Sequence, residues 1–412
     1  MSKVKEGKDL IVGLDIGTSK IVAIIAETKP EGGFEIIGLG SHPSRGLKKG
    51  VVVNIEATVN TIQRALEEAA LMSGCQISEV HAGIAGSHIK SFNSHGMVAI
   101  KGEEVTQADV DKVMETAEAV NIPTDQQVLH TLQQGFIIDG QEDVREPVGM
   151  SGIRLEVKVH IVTGAVSAAQ NIIKCINRCG LEAYGLVLQP LASATAVLSE
   201  DEKDLGVCLV DIGGGTTDIA VFTDGSIRHT AVIPVAGDQI TNDIAVALRT
   251  PTKDAEDIKC RYGTALRTLA DIREMVEIPE VGNRGTRSLS RQGLAEFIEP
   301  RVVEIYELIQ EELRRSGFEQ LLSSGIVITG GSSSMLGMVE LGEEILHMPV
   351  RLGLPTYSGS LEDVVRTPRY STAIGLVMTG MEAHLHHYQA KLNGSSTRQI
   401  FERMKSWFQE NF

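Results

Sequence analysis

A short pattern, an apolar run closed by Asp-x-Gly, occurs twice in the chain and constrains its fold more than any other feature. The first copy is LIVGLDIGTSKIVAIIA, and the second is GVCLVDIGGGTTDIAVF. Each copy predicts two β-strands rich in Ile and Val that are joined by a turn containing glycine. Aligning Asp15 with Asp211 indicates an internal duplication, and such repeats set the architecture of a chain. We therefore predict an α/β protein with two related lobes.

Length and charge agree with this plan and exclude several classes of protein. The chain has 412 residues, enough for two lobes with separate cores. Its net charge of −16 argues against nucleic acid as a partner. Five scattered cysteines do not indicate a disulfide framework. The N-terminus lacks the pattern of a signal peptide, and no run reaches the roughly 20 apolar residues that span a bilayer, so we expect a cytoplasmic protein.

The two turns are predicted to hold a nucleotide phosphate from both sides. A tight turn containing glycine exposes successive backbone N–H groups, which form a concavity for phosphate oxygens. Asp15 and Asp211 would face the phosphates, where Mg²⁺ takes one or two carboxylates and keeps several waters. One such turn is as easily a plain hairpin, but two copies followed by the strand end VITGG favour a nucleotide site. The predicted phosphate contacts are Gly17, Thr18, Ser19, Lys20, Gly213, Gly214, Gly215, Thr216 and Thr217.

The motifs DIGTSK, DIGGGTTD and ITGG resemble the phosphate-1, phosphate-2 and adenosine motifs of the actin, sugar-kinase and heat-shock-chaperone superfamily. This resemblance implies an actin-like fold in which two lobes of mixed sheet close over Mg·ATP. Residues 188–198 and 370–378 resemble its connecting helices, where small residues such as Ala192, Ala194, Ala373 and Gly375 would allow a close crossing. The resemblance adds further nucleotide contacts at Gly237, Gly330, Gly331, Ser332 and Met335.

The segment AEDIKCRYG resembles the Glu-x-x-Lys helix that contacts ribose and adenine in this superfamily, with Glu256 and Lys259 at the matching positions. Taken alone, these two residues are most simply a surface pair one helical turn apart. Gln189 stands where related ATPases place a residue that orients the attacking water. Because glutamine can position water but is a very poor proton acceptor, we expect at most slow hydrolysis of ATP.

The segment 84–162 narrows the choice within the superfamily. It adds material early in the first lobe, and with the sequence around it this segment resembles the bacterial FtsA family of cell-division proteins, from Leu10 to the C-terminus. That resemblance implies head-to-tail polymers of the chain, recruitment of later division proteins, and a site for the C-terminal tail of FtsZ. A helix with a solvated face would look similar to the FtsZ site. The predicted FtsZ contacts are Arg291, Glu296, Glu299 and Arg301.

Three other members of the superfamily remain alternatives. A small-molecule kinase would need a catalytic carboxylate and a sugar pocket, and the sequence offers no convincing candidate for either. Filament proteins of the MreB type and pilus-assembly proteins are closer competitors. A pilus-assembly protein should bind a peptide of a membrane protein rather than the tail of a filament protein.

The last segment, TRQIFERMKSWFQENF, has the pattern of an amphipathic helix. Residues 391–412 carry four basic side chains against two acidic ones, which reverses the sign of the whole chain. Such a helix is suited to lie in a membrane interface, although a helix docked on its own core would show the same spacing. The FtsA resemblance favours the membrane lipids and the cytoplasmic face of the inner membrane at the division site. The apolar face consists of Ile400, Phe401, Met404, Trp407 and Phe408.

These observations predict the organisation of the chain. The first lobe is interrupted by an early inserted α/β subdomain, and the second lobe carries a small subdomain of its own. In chain order, the segments are the first lobe (1–83 and 163–197) around the inserted subdomain (84–162), the second lobe (198–227 and 305–381) around its small subdomain (228–304), a linker (382–397) and the membrane helix (398–412). Helices are also expected at 57–72, 106–121 and 301–316.

Overall fold

The structure is a computed structural model, and it describes residues 10–29, 32–282 and 285–392. Its strands are β1 Leu10–Ile16, β2 Lys20–Thr28, β3 Phe34–Pro43, β4 Leu47–Lys48, β5 Val51–Val52, β6 Glu79–Ile84, β7 Lys90–Ala99, β8 Gln126–Ile138, β9 Gln141–Val144, β10 Arg154–Ala165, β11 Glu182–Leu188, β12 Val207–Ile212, β13 Thr217–Thr223, β14 Ser226–Ile233, β15 Met275–Pro279, β16 Thr286–Ser290, β17 Ile326–Thr329 and β18 Val350–Leu352. Its α-helices are α1 Ile55–Ser73, α2 Gln107–Glu118, α3 Val166–Arg178, α4 Gln189–Val197, α5 Glu200–Leu205, α6 Gly237–Leu248, α7 Thr252–Tyr262, α8 Arg291–Ser316, α9 Met338–Leu346, α10 Glu362–Val365 and α11 Ser371–Leu392.

Two five-stranded sheets have the same topology. The first has the order β3-β2-β1-β6-β11 and the second the order β14-β13-β12-β17-β18. In each, the first three strands run antiparallel and the last three run parallel. This identity confirms the duplication and the two lobes that the repeated motif predicts.

The central strands of both sheets are buried on both faces. In β1 and β12, nearly every residue is buried, including the aspartate near each carboxyl end. Strands covered on both faces show continuous apolar runs rather than alternation. In the first lobe the cover comes from α1, which packs against β2 and β3, and from α11, which packs against β1, β2 and β6. The carboxyl end of β1 is thereby fixed in position.

The two connecting helices, α4 and α11, cross so closely that the backbone of one packs against the backbone of the other. A β-carbon built on Gly375 would lie 1.7 Å from the carbonyl oxygen of Ala192, so only glycine fits there. Ala192, Ala194 and Ala373 are completely buried around the crossing. The close hinge crossing expected from the small residues is therefore confirmed.

The inserted subdomain follows β6 and precedes α3 in the sequence, and it folds as a unit with its own sheet. It consists of the sheet β7-β10-β8-β9 and helix α2. Helix α2 begins with a capping box, in which the Thr106 and Asp109 side chains bond each other's backbone N–H groups. The subdomain has its own apolar core, centred on Val113, Phe136 and Leu155. The early α/β insertion is thus confirmed, and its last strand runs on to Ala165.

Helix α8 begins ten residues earlier than the predicted helix 301–316. Its N-cap is Ser290, whose hydroxyl accepts from the N–H of Gly293. Pro300 lies inside the helix without ending it. The predicted boundary between 304 and 305 therefore falls within one continuous helix, which joins the small subdomain (α6, α7, β15 and β16) to the second sheet.

The segment 382–397, predicted as a linker, is helical in its first part. Helix α11 continues to Leu392, and Ala383 is completely buried against the first core. The linker prediction is corrected for residues 382–392, which belong to α11, and residues 393–397 lie outside the described residues. Within the described ranges, no helix is long and apolar enough to cross a membrane. The predicted membrane helix at 398–412 lies outside the described residues.

Candidate functional site

Two hairpin turns, one from each lobe, meet at a cleft of about 870 Å³ between the sheets. In the β1–β2 turn the N–H of Gly17 donates to the carbonyl oxygen of Lys20 at 3.0 Å. In the β12–β13 turn the N–H of Gly213 donates to the carbonyl oxygen of Thr216, also at 3.0 Å. The two turns have the same hydrogen bond, and each follows a strand that brings an aspartate to the cleft.

The two turns touch each other, and glycine is required for the contact. A β-carbon on Gly214 would lie 2.0 Å from Oγ of Ser19, and one on Gly215 would lie 2.7 Å from Oγ1 of Thr18. Thr18 Oγ1 also accepts a hydrogen bond of 2.9 Å from the N–H of Gly50, in the short β4–β5 hairpin. The hydroxyls of the first turn are therefore packed directly against the backbone of the second.

Each aspartate is held by the hinge side of the molecule. Asp211 Oδ2 accepts from Ser193 Oγ at 2.6 Å and from Thr372 Oγ1 at 3.2 Å, one donor from each hinge helix. Asp15 Oδ1 accepts from Gln189 Nε2 at 3.1 Å. Lys20 Nζ lies 4.0 Å from Asp15 Oδ2 and also donates to the carbonyl oxygen of Arg369. Both carboxylates thus have fixed orientations.

Burial dominates the electrostatics of the cleft. It raises the pKa of Asp15 from 3.8 to about 6, with Lys20 opposing the rise and Asp211 adding to it. Burial likewise raises the pKa of Asp211 and lowers that of Lys20. The pKa of Asp218 is raised to about 7 by burial and by the charge of Asp211. Buried carboxylates of this kind are stabilised in their charged form by a cation.

The wall of the cleft contains a buried lysine. Lys259 Nζ lies 2.7 Å from Glu256 Oε2 and donates to the carbonyl oxygen of Gly237 at 3.0 Å. Burial opposes ionisation of Glu256, but Lys259 and Thr241 outweigh it and lower the pKa of this carboxyl. The Glu256–Lys259 pair is therefore part of the cleft wall, and the simple surface pair is excluded because Lys259 is buried.

Most of the predicted nucleotide contacts converge on this cleft, and two do not line it. Thr217 is completely buried in β13, where its hydroxyl donates to the carbonyl oxygen of Val235 at 2.8 Å. The prediction of a phosphate contact for Thr217 does not fit this geometry, because alternate residues of a strand point to opposite faces. Gly237 does not line the cleft but packs against Ser332, which does; a β-carbon on Gly237 would be 2.3 Å from Ser332 Oγ. The predicted residues that line the cleft are Asp15, Gly17, Thr18, Ser19, Lys20, Gln189, Asp211, Gly213, Gly214, Gly215, Thr216, Glu256, Lys259, Gly330, Gly331, Ser332 and Met335.

The sequence reasoning missed several residues of the site, among them Asp218, Arg369 and Thr372, which line the cleft. It also missed Ser193, which is buried beneath the cleft and bonds to Asp211. Ser193 and Thr372 belong to the segments predicted as hinge helices, where attention to small residues hid their hydroxyls. Asp218 is the last residue of the motif DIGGGTTD itself, so it was the residue most easily found from the sequence. It accepts from Thr216 Oγ1 at 2.9 Å through Oδ2, while its buried Oδ1 has no partner.

The polar groups of the cleft fit the parts of a magnesium–nucleotide complex. Among the described residues, no group of three or more His, Cys, Asp and Glu side chains is arranged to hold a metal. Asp15 and Asp211 could supply the one or two carboxylates that Mg²⁺ takes when phosphates and water complete its shell. The glycine turns, Lys20 and the unpartnered Asp218 oxygen are polar groups with which such a complex could interact.

The four residues predicted to contact FtsZ lie on α8 but do not form one cluster. Arg291 lines the cleft and donates to the carbonyl oxygen of Tyr262 at 2.9 Å. Arg301 lies about 15 Å further along the helix and pairs with Asp243 at 2.6 Å. Glu296 pairs with the Arg267 side chain at 3.4 Å, and Glu299 accepts from the Arg267 N–H. Both arginines therefore have intramolecular partners.

Comparison with solved structures defines the class of protein. The chain resembles a chain of a PilM-PilN type IV pilus biogenesis complex (TM-score 0.64, 18% identity, 90% of this chain and 98% of that one). It also resembles MreB5 of Spiroplasma citri bound to ADP (TM-score 0.55, 14% identity, 94% and 99%). These similarities concern the fold, and with the duplicated sheets and the interlobe cleft they define an actin-like protein.

Sequence comparison identifies the family. The model of cell division protein FtsA matches residues 208–375, and that of the SHS2 domain inserted in FtsA matches 86–163. Cell division protein FtsA of Pseudomonas aeruginosa is 60% identical over the full length of both chains, and that of Escherichia coli K12 is 46% identical over 98% of this chain and 99% of its own. The chain belongs to the FtsA family of cell division proteins.

Proposed function

We propose that this protein binds Mg·ATP in the interlobe cleft, polymerises, and tethers filaments of FtsZ to the cytoplasmic face of the inner membrane at the division site. The single observation that carries the nucleotide part is the convergence of two matched turns with Asp15 and Asp211 on one cleft. At the membrane, the protein would also recruit later division proteins.

Several features of the cleft support ATP as its ligand. The buried carboxylates need a cation, and the glycine turns present backbone N–H groups to anions. The MreB5 of Spiroplasma citri, which shares the fold, has been solved with ADP and with AMPPNP. Gln189 would orient the attacking water, and because glutamine accepts protons poorly, ATP would act mainly as a conformational ligand that is hydrolysed slowly at most.

The tether rests on family membership and on the amphipathic tail at 398–412. Five partly buried apolar side chains at roughly 1 kcal/mol each give weak and reversible attachment to a bilayer. A polymer joins many such tails, and avidity then makes the attachment firm. ATP would favour the polymer, and the polymer would hold both the membrane and FtsZ.

The binding of ATP and the membrane tether are tested by separate experiments. Calorimetry should detect Mg·ATP binding to the wild-type chain and not to Asp211→Asn, which keeps the shape of the side chain but removes its charge. Turnover of ATP only in the presence of a small-molecule phosphate acceptor would contradict the proposal and indicate a kinase.

Co-sedimentation with anionic liposomes tests the tether. The full chain should pellet with the liposomes and carry FtsZ with it, and a chain ending at Thr397 should do neither. If the shortened chain pellets equally well, the last helix is not the membrane anchor.

A further inference from the structure

The inserted subdomain, although it interrupts the first lobe in sequence, makes a largely buried polar contact with the second lobe. We call this contact the interlobe latch and define it as Asn93, Gln134 and His160 of the subdomain with Thr230 of β14. His160 Nε2 lies 3.0 Å from Thr230 Oγ1, and its Nδ1 lies 2.7 Å from Asn93 Oδ1. Gln134 Nε2 donates to Asn93 Oδ1 at 3.2 Å and to the carbonyl oxygen of Ile227 in β14 at 2.9 Å.

The latch is closely packed and uses both ring nitrogens of one histidine. His160 is 1% exposed, and burial lowers its pKa from 6.5 to about 3, with His229 adding to the effect. A neutral imidazole has one donor and one acceptor nitrogen. Asn93 Oδ1 can only accept, so Nδ1–H donates to it and Nε2 accepts from the hydroxyl of Thr230. Buried polar groups that are fully paired fix one relative position of the elements that carry them.

The latch adds a connection between the lobes apart from the hinge helices. On the second-lobe side it holds β14, the edge strand of the second sheet, and Ser91 Oγ adds a bond of 2.9 Å to the carbonyl oxygen of Thr230. On the first-lobe side, His130 Nε2 of the subdomain accepts from the N–H of Leu188 at 3.0 Å, next to Gln189 in the cleft. The subdomain therefore contacts both lobes.

A short path of backbone bonds leads from the second turn to the latch. The turn continues into β13, which pairs with β14 so that Ala220 lies opposite Thr230. The hydroxyl of Thr217, the first residue after the turn, donates to Val235 just beyond β14. Ala220 lies four positions after Thr216, the last residue of the turn, so a displacement of the turn would reach Thr230 through these strand pairs.

We propose that the inserted subdomain responds, through the interlobe latch, to occupancy of the cleft, so that the conformation of β7 and β10 differs between the free and nucleotide-bound protein. This inference rests on the proposed binding of ATP. According to this inference, the side chains of the latch couple the cleft to the inserted subdomain in addition to stabilising the protein. A static contact would stabilise the protein without making the subdomain sensitive to ligand.

Hydrogen exchange of the full chain, with and without Mg·ATP, tests the coupling. In the wild type, ATP should change the amide exchange rates of residues 213–223 and also those of residues 90–99 and 154–165. The expected change is about threefold or more, because the net free energy of one hydrogen bond corresponds to a factor of this size. In Thr230→Val, which removes the hydroxyl but keeps the shape, the response in 213–223 should persist and that in 90–99 and 154–165 should disappear. Thr230→Ser retains the hydroxyl and should behave as the wild type.

Asn93→Ala provides a second variant at the exposed rim of the latch in case Thr230→Val does not fold. An equal response of 90–99 in wild type and latch variants would overturn the coupling. A response confined to 213–223 in the wild type would overturn it as well. Absence of ATP binding by calorimetry would instead overturn the proposed function, and the coupling with it.

Discussion

Ser193 Oγ donates a hydrogen bond of 2.6 Å to Oδ2 of Asp211, and this bond joins the first hinge helix to the turn of the second lobe. Thr372, from the other hinge helix, donates to the same oxygen at 3.2 Å and lies 3.0 Å from Ser193 Oγ. The hinge and the candidate phosphate site therefore share one carboxylate. A change in the charge of Asp211 would therefore alter one hydrogen bond from each of the two hinge helices.

Ser193→Ala should destabilise the protein by removing this donor. A buried carboxylate that loses a hydrogen bond costs about 1–3 kcal/mol, measurable as a lower free energy of unfolding in urea. Thr195→Ala is the matched control, because the Thr195 hydroxyl donates only within α4, to the carbonyl oxygen of Leu191. Equal stability of the two variants would show that the bond to Asp211 contributes nothing.

Asp15 should make stability depend on pH in the absence of ligand. Its pKa is raised from 3.8 to about 6, so the folded state holds the proton more tightly than the unfolded state. The protonated carboxyl therefore contributes at most roughly 3 kcal/mol to the free energy of unfolding. This contribution is fully present below about pH 4 and is lost as the pH rises through 6. Asp15→Asn should remove this decrease in the free energy of unfolding between pH 4 and 6. An unchanged slope in the variant would contradict the assignment.

Gly330→Ala should displace Asp211. Gly330 has φ of 86°, and a β-carbon there would lie 2.3 Å from Asp211 Oδ1. Gly330 has ψ of 162°, and this positive-φ extended conformation is adopted almost only by glycine. Alanine there costs roughly 2 kcal/mol of stability, and the shifted carboxylate should abolish ATP binding in calorimetry. For stability the control is Gly331→Ala, whose β-carbon would meet nothing closer than 3.9 Å. If both variants unfold at the same urea concentration, the close approach is not a constraint.

Trp407 should report membrane insertion without any label. It is the one tryptophan of the chain and belongs to the predicted apolar face of the tail. Because indole emission shifts to shorter wavelength in an apolar environment, anionic liposomes should shift the fluorescence to the blue. The shift should be smaller with neutral liposomes, since the tail carries a local positive charge. An unchanged spectrum at saturating lipid would argue that the tail is docked on protein.

Arg301 allows the role of α8 in stability to be separated from binding to FtsZ. Its 2.6 Å pair with Asp243 is partly buried, so Arg301→Glu should destabilise the protein by roughly 1–2 kcal/mol, between the values for exposed and buried pairs. Combining it with Asp243→Arg should restore stability. Affinity for a peptide of the FtsZ C-terminal tail should stay low in the double variant if Arg301 contacts the peptide. Recovery of affinity together with stability would remove Arg301 from the interface.

The two turn motifs were readable from the sequence because they are local. In a tight turn, glycine and the residues beside it determine which backbone groups are exposed, so DIGTSK and DIGGGTTD identified Asp15, Lys20 and Asp211 without knowledge of the fold. The repeated pattern likewise predicted two lobes. Thr217 was the exception, since its position on the first residue of β13 turns its hydroxyl away from the cleft.

What the sequence alone determined, then, is the duplicated α/β architecture, the inserted subdomain and the residues of the two turns. Only the tertiary structure decided how α8 and α11 extend, which hydroxyls of the hinge hold Asp211, and that the inserted subdomain bonds to β14. These features join residues far apart in the chain, such as His160 and Thr230. The physical reason is that a local pattern fixes backbone conformation, whereas a buried hydrogen bond between distant segments exists only once packing has brought both partners together.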